Sequence, residues 1–141
     1  MATINILVSL IGNSSELSLK QGTIDPQNDS LVTDVNASDT VIWSLDPNPD
    51  SGRNTNITLM NVKASDSSQP QYTNSQQILA AAEYTADANG VITGTVLATP
   101  PPAKPGQGAN AKAFENYEIG FYKNSDATKT EIWDDPRLQM R

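Results

Sequence analysis

Apolar and polar residues alternate along much of this chain with a period of two. The clearest run sets Ile4, Ile6, Val8 and Leu10 against Asn5, Leu7, Ser9 and Ile11. Successive strand side chains point to opposite faces, so this spacing predicts a strand there. A Gly12-Asn13-Ser14-Ser15 turn follows, and Leu17 and Leu19 suggest a weaker strand within residues 16–20. The centre of the pattern is a pair of strand segments, 31–35 and 40–43, joined by a polar bend. Leu31, Thr33 and Val35 share one face of the first segment, and Val41 and Trp43 share one face of the second. Trp43 is the expected large anchor of the core.

Residues 56–63 carry apolar side chains on both faces (Ile57 and Leu59, Met60 and Val62), as an interior strand does. Residues 91–97 alternate around β-branched side chains and predict another strand. A closing hairpin is expected where Tyr117, Ile119 and Phe121 alternate with Glu118, Gly120 and Tyr122 and residues 130–133 return. Pro136 marks a bend or an edge, after which Leu138 and Met140 finish a last short strand. Residues 75–84, rich in glutamine and alanine and capped by Asn74 or Ser75, are the only stretch that predicts a helix. Such a helix is short enough to need packing through Ile78, Leu79 and Ala82. Residues 46–54 form a proline-stiffened loop, 64–74 are polar, and 99–113 make a proline-then-glycine excursion between strands. About seven strands at this spacing, with at most one short helix, predict a two-layer antiparallel β-sandwich of Greek-key type. Residues 1–141 are expected to form it as a single domain.

Composition narrows the chemistry. Nine basic against sixteen acidic residues give a net charge of −7. That balance opposes nucleic acid and anionic membrane, where affinity comes from Lys and Arg displacing counterions. The chain has no cysteine and no histidine. The usual general base, the usual transition-metal ligand and any thiol chemistry are therefore missing together. The amino end has no basic region and its apolar run is broken by Asn5 and Ser9, so no signal peptide is expected and a cytoplasmic location is.

Three groups of residues remain as candidates for chemistry. Asp46, Asn48 and Asp50 echo the start of an EF-hand loop, but Gly52 stands one place late and Ile57 replaces the closing glutamate. A looser calcium site of oxygen ligands is weighed there against a plain stiff loop. Asp134 and Asp135 are adjacent carboxylates which, on a strand, would point to opposite faces, a poor arrangement for shared acid–base work. Trp133, opposite Ile132, has the position of an exposed ring beside Asp134, as in sites that stack on a sugar. Core packing or a subunit contact is the plainer alternative.

Two resemblances rest on particular residues. Asp39-Thr40-Val41-Ile42-Trp43 is similar to the strand that precedes the first metal ligand in cupredoxin-like sandwiches, yet the ligand region, here Asn54-Thr55-Asn56-Ile57-Thr58, has no histidine. That resemblance implies the sandwich without copper. The chain also resembles the bacterial inclusion-body proteins of PixA/AidA type. The shared features are its opening Ile4-Asn5-Ile6-Leu7-Val8, its middle Asp39–Pro47, its tyrosine-rich Tyr117-Glu118-Ile119-Gly120-Phe121 and its terminal Asp135-Pro136-Arg137-Leu138. An acidic residue expected soon after the first strand is replaced here by Leu10-Ile11-Gly12-Asn13. This second resemblance implies a cytoplasmic, non-catalytic protein of a host-associated bacterium that accumulates as inclusions. The expectation is thus a homo-oligomer acting by self-association without a cofactor. The alternative is a lectin-type module that binds carbohydrate, with or without calcium.

Overall fold

The computed structural model describes residues 1–64, 74–106, 108 and 110–141. It is an all-β sandwich. The first sheet contains β1 (Thr3–Ile11), β2 (Leu17–Lys20), β4 (Thr40–Leu45) and β8 (Ile92–Thr95), in the order β2-β1-β4-β8. A two-residue β5 (Arg53–Asn54) pairs with the end of β1. The second sheet runs β3 (Val32–Val35), β11 (Arg137–Met140), β9 (Phe114–Lys123), β6 (Ile57–Ala64), β7 (Glu83–Thr85). β10 (Ile132–Asp134) lies along β9 ahead of β11, and the break between the two is Asp135-Pro136, where the missing proline N–H ends the ladder.

The sandwich is as expected, but its sheets are mixed. β1 runs parallel to β4 and β11 parallel to β3. Alternation along a strand reports which face is buried and carries no information on the direction of the neighbour. The two segments at the centre of the sequence pattern also part company, β3 to the second sheet and β4 to the first. The crossing is made at Asn36–Asp39, with Ser38 at φ 65° and the Asp39 carboxylate accepting from the N–H groups of Ala2 and Asn36.

Residues 75–84 form no helix. Ile78 and Leu79 run extended along the end of β8, with Leu79 bridged to Val96, Ala80 N–H donating to the Thr95 carbonyl and Leu97 N–H to that of Ile78. The buried Glu115 carboxylate takes the Ile78 and Leu79 N–H groups at 2.7 and 2.8 Å. This tertiary capture outweighs the weak helix preference of a ten-residue glutamine–alanine stretch. Residues 65–73 of the expected polar connection lie outside the described residues.

Between the sheets sits one apolar cluster drawn from both, including Ile6, Val8, Leu19, Val41, Ile92, Leu59, Ile119 and Phe121. Trp43 is fully buried at its centre. Its indole N–H donates to the Tyr117 hydroxyl at 3.0 Å, and the rings meet edge-on at 5.4 Å, tying the first sheet to the second. Aromatic pairs in this geometry add roughly 0.5–1.5 kcal/mol beyond their burial. Gly94 is bare because a Cβ there would stand 3.1 Å from the Trp43 ring.

Candidate functional sites

The Asp46–Asp50 loop follows β4. Asp46 is buried, and its carboxylate accepts from the Asn48 N–H at 2.9 Å and pairs with the Lys20 ammonium at 2.8 Å. Lys20 also lies 3.9 Å from Asp50, so a lysine from β2 places its positive charge between the two carboxylates. This contact, first among its causes, raises the Lys20 pKa. Asn48 offers its backbone to Asp46, which is an ordinary Asx turn.

Trp133 lies on the outer face of the second sheet and is half-buried. Its register partner is Gly120, where a Cβ would come within 2.6 Å of the indole. The ring thus covers a strand position kept bare for it, beside Asn61. Lys63 sits over the ring at 4.2 Å from its centroid, a cation–π contact. The indole, weighed as a stacking surface against core packing or a subunit contact, is partly occupied by its own neighbours.

Asp134 and Asp135 depart from the expected arrangement. Asp134 pairs with Ile119 and turns into the interior, where it is buried and accepts the Leu17 N–H of β2 at 2.8 Å. Asp135 is exposed, but the chain leaves the strand at this residue. Carboxylate oxygens of Asp29, Asp134 and Asp135 consequently all lie within 4.8 Å of one another. Burial first, and then the hydrogen bond with Asp29, push the Asp134 carboxyl up to about 8. Two carboxyl groups so placed share a proton more readily than they bear two charges. Asp134 works as a clasp between sheets, closing on β2 from β10, and the Asn28 carbonyl takes the Leu19 N–H one step along. Asp29 had no local signal in the sequence, being far from Asp134 along the chain.

The clasp covers the edge of β2, and residues 78–80 cover the end of β8. β3 is different. Arg137 N–H donates to the Leu31 carbonyl and Arg141 N–H to that of Val35, so odd-numbered residues face β11. The backbone groups of Val32 and Asp34 therefore point outward, with no backbone partner among the described residues. The Val32 side chain is 43 % exposed. β7 ends the same sheet on its other side, but it is three residues long and carries the exposed Glu83.

A cleft of about 350 Å³ opens at the end of the sandwich where β1, β5, β6 and β9 converge. Its walls are Asn13, Asn54, Asn56, Asn124 and Ser125, with Leu10 and Lys123. Asn54 is committed to the Gly12 carbonyl and the Asn56 N–H. Lys123 reaches across the two sheets to the Asn13 carbonyl at 3.1 Å, and Asn124 Oδ1 accepts from the Thr58 hydroxyl at 2.7 Å. The asparagines of this cleft stood in the sequence as turn formers at strand ends, and only the fold brings them together.

Against known proteins, no family model matches the chain and no curated protein matches it.

Proposed function

We propose that this is a non-enzymatic protein whose role is self-association, with β3 as the contact strand and a second copy of the chain as its occupant. The observation that supports this is the edge of β3, uncovered among the described residues: outward backbone groups at Val32 and Asp34 beside an exposed valine. Such an edge is a template for strand addition unless charge or cover prevents it. Two copies meeting antiparallel across a twofold axis would oppose Val32 to Asp34 and extend the sheet. What holds them apart at neutral pH is charge. Asp34 lies on the edge, Asp29 and Asp135 lie close to its start, and the molecule carries −7 overall. Removing that charge by acid lets the backbone groups pair. The resemblance to inclusion-forming proteins points the same way, and the setting that goes with this reading is the cytoplasm.

Light scattering and gel filtration between neutral pH and about pH 4.5, near the isoelectric point, test the reading. Assembly should increase as pH falls. Val32→Pro, which removes an outward N–H that the fold does not use, should stay monomeric over the same range with unchanged circular dichroism. A wild-type chain that remains monomeric throughout, or a proline variant that assembles like wild type, refutes it.

A further inference from the structure

The cleft at the end of the sandwich has a chemistry unlike the rest of the surface. In a chain with sixteen acidic residues, its lining contains no carboxylate among the described residues, and the one formal charge among them is the Lys123 ammonium. The side-chain amides of Asn13 and Asn56, the Asn124 Nδ2 and the Ser125 hydroxyl have no hydrogen-bond partner among the described residues. Lys123 gives one of its three protons to the Asn13 carbonyl and keeps two. Amides both donate and accept, as sugar hydroxyls do, so one amide can serve either sense of a hydroxyl hydrogen bond. A volume of about 350 Å³ is at the small end of ligand sites and holds one monosaccharide unit.

The frame is fixed from both sheets. Asn13 follows β1 and Asn56 precedes β6, while Lys123 ends β9 and Asn124 and Ser125 continue it. Gly12 N–H donates to the Gly52 carbonyl at 2.9 Å and Asn124 N–H to the Asn56 carbonyl at 3.0 Å, closing the turns that carry the amides. The backbone that carries the donors is therefore set before any ligand arrives, which lowers part of the ordering cost of binding.

We propose that this cleft binds a hexuronate-type sugar, its hydroxyls meeting the Asn13, Asn56 and Asn124 amides and its carboxylate meeting Lys123. The site is separate from the β3 edge and does not depend on self-association. It also differs from the Trp133 stacking site expected from the sequence, whose ring is covered in part by Lys63.

The test is a titration of the full ¹⁵N-labelled chain at neutral pH with galacturonate, and in parallel with galactose, followed by amide shifts. Galacturonate should move the side-chain amides of Asn13, Asn56 and Asn124 together with the Ser125 backbone, and should bind more tightly than galactose. Lys123→Met should weaken galacturonate about fivefold, the size of an exposed ion pair, and should weaken galactose by clearly less. Asn124→Asp keeps the acceptor for Thr58 and should weaken galacturonate severalfold more than galactose by repulsion, which provides a second reading in a variant with the native bond intact. Absence of shifts at these amides at millimolar sugar overturns the site. Equal binding of galactose and galacturonate, or a Lys123→Met variant that binds both like wild type, overturns the acidic-sugar assignment.

Discussion

Trp43 and Tyr117 show how one pair of side chains fixes the relation between two layers. Both are fully buried, and the phenol oxygen is the partner of the indole N–H. Burial, partly opposed by that hydrogen bond, pushes the phenol pKa well above its usual range, so the hydroxyl stays protonated wherever the protein is folded. Tyr117→Phe keeps the ring and removes the acceptor, leaving a buried N–H alone. Its expected cost is about 1–3 kcal/mol, read as a lower urea midpoint with an unchanged slope. A loss within error would mean the indole N–H finds another acceptor. Gly120 makes the complementary point, since the absence of one Cβ is what lets Trp133 lie flat on the sheet.

At the level of elements, the segment carrying Ile78 and Leu79 is held by Glu115 more than by its own sequence. Desolvation raises the Glu115 carboxyl, opposed by the two N–H bonds from Leu79 and Ile78. Its second oxygen is buried with no partner among the described residues. Glu115→Ala orphans both N–H groups. Hydrogen exchange at the Ile78 and Leu79 amides should then accelerate by roughly tenfold or more, while Glu115→Gln, which keeps an acceptor, should fall between. Equal protection in all three proteins would remove Glu115 from this role. The same segment marks the limit of what the sequence told. Strands with clear alternation were legible: β1, β4, β6, β9 and the β10 return all stand where expected. Residues 75–84 were not, because their local composition favours a helix while their partner is a carboxylate 36 residues away. Sheet membership and parallel pairing were likewise hidden, since alternation fixes faces and leaves neighbours open. Of the candidate residues, the bend at Pro136 was visible, but the convergence of Asp29 on Asp134 and of Lys20 on Asp46 arises only in three dimensions.

For the molecule as a whole, the clasp at Asp134 couples stability to pH. Its carboxyl is pushed from 3.8 to about 8 by burial first, then by Asp29, with Asp135 adding to the repulsion and the Leu17 N–H opposing it. The folded chain therefore holds a proton that the unfolded chain releases above about pH 4. Stability from this group is complete below that value and is lost as pH rises through about 8. Asp134→Asn keeps the acceptor for Leu17 and offers Asp29 a donor without a charge. Its melting temperature should exceed that of wild type by a few degrees near pH 8 and change less across the acid range. A wild-type profile as flat as that of the variant would show that Asp134 does not carry the dependence.

The parallel pairing of β11 with β3 has a consequence for how the chain is made. Residues 137–140 form an interior lane between β3 and β9, and the Phe114–Asn116 end of β9 has no strand partner on that flank until they arrive, β10 pairing only with residues 119–121. A nascent chain emerging from the ribosome thus presents β3 and β9 with an empty slot between them, whatever has already collapsed. Closure waits on residues 137–140 leaving the exit tunnel, and until then each growing copy exposes to its neighbours on the same messenger the gap that these residues fill.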